Sequence, residues 1–241
     1  MFQPGFTHWG SFARYCAIDY ADHNLVWLPV DIDFVTAAAL GCRIVTSFRA
    51  IVDQGRVAEG EWVAIHGCGG VGLSAIMIAS ALGARVVGID IGDKALALAR
   101  SAGAEFTINA SGCDDVPAAV REVTGRGAHV SLDALGSPQT CRDSILSLRK
   151  RGRHVQVGLL LADESEPALP MYPVLSRELE IVGSHGMPAN HYNRVIEMIV
   201  GGRFDPRALV DRTITLGEAP GELAGMGKFA GAGIAVIDDF T

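Results

Sequence analysis

At 241 residues, with 49% apolar and 20% charged side chains, the chain can form one large domain or two smaller ones and lacks the composition of a disordered segment. A net charge of −7 excludes the broad positive field that would draw nucleic acid or an anionic membrane surface. The cysteines, at 16, 42, 68, 113 and 141, are odd in number and include no C-x-x-C pair, which predicts a reduced, cytoplasmic chain.

The first ten residues have neither the basic leader nor the apolar core of an export signal. Residues 11–30 alternate loosely through Phe12, Tyr15, Ile18, Leu25 and Trp27, which predicts short strands and turns. From Asp33 to about Gly55, apolar residues recur every three to four positions, and Gly41 and Cys42 interrupt them. That pattern predicts two helices with a joint.

A strand–helix alternation follows. Strands are predicted at 62–66, 85–90, 105–109, 129–133, 153–158 and 179–183, and helices at 71–82, 93–102, 115–123, 138–149 and 170–176. Such alternation implies right-handed crossovers and a parallel sheet covered on both faces. Residues 62–84 carry no Asp, Glu, Lys or Arg, but glycines and His66 interrupt their first half, so a buried strand and helix are expected, not a membrane span. The basic run from Arg149 to Arg153 reads as a solvated helix end and turn. Beyond Gly186 the alternation stops, and an amphipathic helix at 188–200, a strand at 212–216, a helix around 218–226 and a strand at 233–237 complete the chain.

The densest signal lies at 62–90. Gly67, Gly69 and Gly72 stand in G-x-G-x-x-G register between a strand and a helix, and Asp90 ends the next strand 18 residues after Gly72. Gly67 permits a tight turn, Gly69 lets a diphosphate approach the main chain, and Gly72 lets the helix pack closely. Together with Gly70 and Val71, the loop offers the free N–H groups of a helix start to an anion. Asp90 can accept hydrogen bonds from an adenosine ribose and would repel a 2′-phosphate, favouring NAD over NADP. Lys94, one turn later, is either a second ribose contact or a solvated helix lysine. Another nucleotide, such as S-adenosylmethionine, is the competing ligand. Cys68 reads as turn filler, not a nucleophile.

The chain resembles the zinc-dependent medium-chain alcohol dehydrogenases at Gly10–Tyr15, Ala39–Arg43 with Thr46, His66–Gly72, Gly88–Asp90, Asp133–Gly136 and Gly152–Gly158. The resemblance implies an α/β fold: a Rossmann doubly wound parallel sheet at 43–187, flanked by remnants of a GroES-like, β-rich catalytic domain at 1–42 and 188–241. It implies that Cys42 is a ligand of a catalytic zinc and that Thr46 works on the nicotinamide side. It also implies that Val157, Gly158 and Leu159 line the nicotinamide pocket through their backbone.

The implied activity is NAD-dependent hydride transfer between an alcohol or aldehyde and nicotinamide. The implied assembly is a homodimer or homotetramer through the edge of the sheet near Leu179 to Gly183. None of the seven histidines precedes a glutamate, and one cysteine does not make a zinc site. The chain therefore reads as the carboxyl two-thirds of such an enzyme. The alternatives are a non-catalytic dinucleotide-binding module and a zinc-free medium-chain quinone or enone reductase. Loss of the amino-terminal part would expose apolar surface around Phe12 and Trp27.

Overall fold

The computed structural model describes residue 5, residues 7–225 and residues 233–241. The chain divides into two compact units, Met1–Gly41 with Met187–Thr241, and Cys42–Gly186.

In chain order, α1 (Ala21–Asn24) and α2 (Phe34–Ala39) open the first unit. The Asp33 carboxylate caps α2 by accepting from the Thr36 N–H at 2.7 Å. Residues 11–30 form no strand; the helical turn α1 stands there instead. Among the described residues no strand lies alongside this segment, so its backbone groups close locally, with the His23 and Asn24 N–H groups both donating to the Tyr20 carbonyl. Phe12 and Trp27 are exposed.

The helical run breaks at Gly41 (φ −34°, ψ −148°), at the predicted joint. It resumes in α3 (Val45–Phe48) and continues with widened turns to Gln54. By length and composition, Phe34–Gln54 could cross a membrane. Within the second unit, however, Ile44, Val45, Phe48, Ala50 and Ile51 of this stretch are all buried in the protein.

The sheet of the second unit consists of β1 (Trp62–His66), β2 (Arg85–Asp90), β3 (Phe106–Asn109), β4 (Ala128–Asp133), β5 (Leu148–Gln156) and β6 (Glu180–Gly183). Between them run α4 (Gly70–Ala81), α5 (Asp93–Ser101), α6 (Val116–Thr124), α7 (Pro138–Leu146) and α8 (Met171–Ser176). All pairings are parallel, in the order β3-β2-β1-β4-β5-β6. This is the doubly wound order, and its switch point lies between β1 and β4, the place at the carboxyl ends of the strands where such sheets bind ligands. β1 is buried throughout, and α4 sinks Leu73, Ala75, Ile76, Ile78 and Ala79 beneath the surface. That explains why this stretch carries no charge.

Two boundaries differ from expectation. α7 ends at Leu146 and β5 begins at Leu148, so the basic run is strand and not helix end. A register shift between Ala128 and Val130, with Arg151 at φ 59°, accommodates this long strand. Arg153 is held by the Glu180 carboxylate of β6 and the Gly55 carbonyl. β5 stops at Gln156, because Val157 and Gly158 turn aside to donate to the Asp133 carbonyl at 3.1 and 2.8 Å.

In the first unit, the chain after Met187 forms α9 (Tyr192–Val200), β7 (Val210–Thr215), α10 (Ala219–Gly225) and β8 (Ile234–Asp239). β7 and β8 pair in parallel, and α2 packs against both. The helix expected around 218–226 is described over Ala219–Gly225, and Met226 lies outside the described residues.

Candidate dinucleotide site

Each glycine of the loop from Gly67 to Gly72 has its own physical reason. Gly67 adopts φ +90°, a left-handed conformation that side chains resist. A Cβ on Gly72 would overlap the Gly67 carbonyl oxygen and stand 2.8 Å from its carbon, so only glycine lets α4 start this close to the turn. A Cβ on Gly69 would meet nothing within 4 Å: the loop is open there, and Gly69 is exposed. Gly70, the first residue of α4, differs again. A Cβ on it would stand 2.6 Å from Cδ of Arg43. The first turn of α4 holds no acidic residue, and no side chain caps it. Its N–H groups therefore end the helix as bare donors.

Asp90 closes the loop from the next strand. Its Oδ2 accepts from the Cys68 N–H at 2.7 Å and its Oδ1 from the Gly92 N–H at 2.8 Å. A carboxylate has about four lone-pair sites, so each oxygen keeps acceptor capacity for a ribose hydroxyl. Asp90 thus tethers the turn, a task its position in the sequence does not reveal. Lys94 is exposed in the first turn of α5. Cys68 is buried beside Asp90, and burial, reinforced by the carboxylate charge, pushes its thiol up to about 12. A thiol so raised is no nucleophile at neutral pH.

On the other side of the switch point, Asp133 is fully buried. Its Oδ1 accepts from the Leu135 and Gly136 N–H groups, both at 3.0 Å, and its Oδ2 from Gln156 Nε2 at 2.8 Å. Gly136 and Gly158 face each other so closely that a Cβ on Gly158 would overlap the Gly136 nitrogen. The N–H groups of Val157 and Gly158 are committed to Asp133, and the Gly158 carbonyl accepts from Gln156 at 2.8 Å. Among the described residues, the Val157 carbonyl and the Leu159 N–H remain unclaimed. The Leu159 side chain is exposed.

A buried polar layer lies near Asp133. His154 Nδ1 contacts Ser144 Oγ at 2.9 Å and Ser131 Oγ at 3.4 Å, and its Nε2 meets Gln156 Oε1 at 3.1 Å. His66 is buried with an unpartnered Nε2. Burial lowers its imidazole to about 4; the Asp133 charge opposes that shift and His154 adds to it. Burial likewise holds His154 below the ordinary histidine range.

Cys42 and Thr46 lie one helical turn apart, their Sγ and Oγ1 at 3.8 Å. Cys42 is exposed and Thr46 buried. Among the described residues no three His, Cys, Asp or Glu side chains converge on a metal position. A catalytic zinc takes three protein ligands and an open position, and Cys42 alone does not fit it. Two residues escaped the sequence reading. The buried Ser47 hydroxyl lies between the Arg43 carbonyl at 2.8 Å and the Val71 carbonyl at 2.7 Å, its single proton shared by the two acceptors, and links the α3 segment to the start of α4. Arg43 is the residue whose side chain passes Gly70.

The family pattern described as zinc-binding dehydrogenase matches residues 70–201. An alcohol dehydrogenase of Geobacillus stearothermophilus is 34% identical over 182 residues, which are 75% of this chain and 51% of that protein. An NAD-dependent alcohol dehydrogenase of Sulfurisphaera tokodaii is 30% identical over 235 residues, 97% of this chain and 65% of that one. The solved alcohol dehydrogenase TADH of Thermus sp. ATN1 superposes with a TM-score of 0.86 at 28% identity, covering 93% of this chain and 64% of its own. This chain thus spans between half and two-thirds of the length of these relatives. A match over more than half its residues, set on the doubly wound sheet and glycine loop, places the chain in the zinc-binding dehydrogenase family.

Proposed function

We propose that this chain is the cofactor-holding part of an NAD-dependent alcohol dehydrogenase acting on an alcohol or aldehyde. The observation that carries the reading is the open, uncapped loop at Gly69, tethered by a carboxylate that ends the neighbouring strand. The N–H groups of Gly69, Gly70, Val71 and Gly72 receive the diphosphate. Asp90 accepts from the adenosine ribose and disfavours a 2′-phosphate, and Lys94 supports the same ribose. The Val157 carbonyl and Leu159 N–H offer an acceptor and a donor to the nicotinamide amide, above the floor set by Gly158. Thr46 presents a hydroxyl on that side. When bound, NAD supplies the hydride acceptor or donor.

Cys42 can contribute no more than one metal ligand, so no step is assigned to zinc. A second reading, a dinucleotide-binding module without catalysis of its own, is favoured by the isolation of Cys42 among the described residues. In either reading, 43–187 is the cofactor domain, and 1–42 with 188–241 belongs to a GroES-like part. Self-association uses the edge strand β6, where Ile181 is exposed. Five free thiols support a reduced cytoplasmic setting.

Calorimetric titration tests the cofactor assignment. NAD should bind more tightly than NADP, and Asp90→Ala should narrow the difference. Equal affinities for the wild type would remove the role of Asp90. Alcohol-dependent formation of NADH by this chain separates catalysis from binding alone.

A further inference from the structure

We propose that Arg43 is a further cofactor-binding residue, whose guanidinium holds the dinucleotide diphosphate against the start of α4; this rests on the NAD reading above. Three independent observations support it.

The first is placement. The buried Ser47 hydroxyl shares its single proton between the carbonyls of Arg43 and Val71, so the backbone of Arg43 is linked to the first turn of α4. The second is the fourth glycine of the loop. The G-x-G-x-x-G register uses Gly67, Gly69 and Gly72, and Gly70 has no left-handed backbone to explain its lack of a side chain. What occupies that space is Arg43: a Cβ at 70 would stand 2.6 Å from its Cδ and 2.8 Å from its Nε. The Arg43 stem therefore runs past the helix start directly over the bare position 70.

The third is charge. The amino end of a helix is positive, and a cation placed there is repelled unless an anion lies between. The first turn of α4 supplies no acidic residue, and among the described residues the Arg43 guanidinium makes no ion pair or hydrogen bond. A cation lying against a helix start with bare N–H groups is relieved by a shared anion, and the diphosphate is the anion proposed for this loop. Charge-assisted bonds to a phosphate oxygen then turn a repulsive arrangement into an attractive one.

The test measures NAD and adenosine binding by calorimetry for the wild type, Arg43→Ala and Arg43→Lys, with thermal unfolding of each. Arg43→Ala should weaken NAD by about tenfold to a hundredfold. Adenosine, which carries no phosphate, should change by less than about twofold, since only the diphosphate meets the guanidinium. Arg43→Lys should recover part of the loss. The Tm of free Arg43→Ala should stay level or rise, since a repulsive contact is removed; a merely structural arginine would lower it. Unchanged NAD affinity in Arg43→Ala, or an equal loss for NAD and adenosine, overturns the proposal while leaving the NAD reading intact. A wild type that does not bind NAD overturns both.

Discussion

Gly69 and Gly72 are three residues apart in one loop, and the structure gives them opposite consequences on substitution. At Gly69 the backbone lies at φ −79°, ψ −163°, open to any residue, and a Cβ meets nothing within 4 Å. Gly69→Ala loses some capping preference at the helix start, about 0.5–1 kcal/mol, and regains about 0.4–1 kcal/mol because the unfolded chain is less free. The two nearly cancel, so folding should change by less than about 1 kcal/mol. At Gly72 the added carbon collides with the backbone of Gly67, and no flexible side chain can yield. Gly72→Ala should cost about 1–3 kcal/mol or more, as overpacking does.

NAD affinity should fall in both variants for different reasons. On the proposed binding mode the methyl of Gly69→Ala stands where a diphosphate would approach, whereas in Gly72→Ala the loop itself must move. Urea unfolding and NAD titration on the same samples separate the two. Full NAD affinity in Gly69→Ala would refute the diphosphate approach at that residue. Wild-type stability in Gly72→Ala would refute the packing argument.

Three further outcomes follow from the buried groups. His66 is held at about 4 while an unfolded histidine titrates near 6.5, so the unfolded chain binds the extra proton first. The stability due to its neutral burial is complete above pH 6.5 and lost as pH falls toward 4, by about 3 kcal/mol; His154 adds in the same direction, and a flat stability profile across that window would contradict both. Alkylation followed by mass spectrometry should modify exposed Cys16 and Cys42 first; Cys68 and Cys141, raised to about 12 and about 11 by burial, should resist until the chain unfolds. Asp133→Ala strips an acceptor from the N–H groups of Leu135 and Gly136 and from Gln156, and should lower the unfolding free energy by about 3 kcal/mol or more in urea.

The parallel sheet was legible because it is written in local periods. Trp62 to His66 and Arg85 to Asp90 are short apolar runs bounded by glycines, and the helices between them keep apolar faces. Boundaries that depend on remote partners were not legible. The basic residues 149–153 resemble a solvated helix end until the register shift opposite them and Glu180 of β6 draw them into a strand. Residues 11–30 carry strand-like side chains, but a strand is made by a neighbouring ladder, which no local pattern encodes.

The site divides the same way. Gly67, Gly69, Gly72 and Asp90 could be found because their spacing reflects one turn and one crossover. Arg43 meets Gly70 across 27 positions of chain, and only the packing of α3 on α4 brings them together. The tether from Asp90 to the Cys68 N–H is also tertiary.

The paired glycines Gly136 and Gly158, with both neighbouring N–H groups drawn to the Asp133 carbonyl, have a thermodynamic consequence for binding. This junction of β4 and β5 is ordered when the chain folds, not when a ligand arrives, so on the proposed binding mode little conformational entropy is left to lose on association. Affinity and folding are thereby linked: a change that loosens the junction of β4 and β5 should appear first as a more unfavourable entropy of binding, before any contact with the ligand is altered.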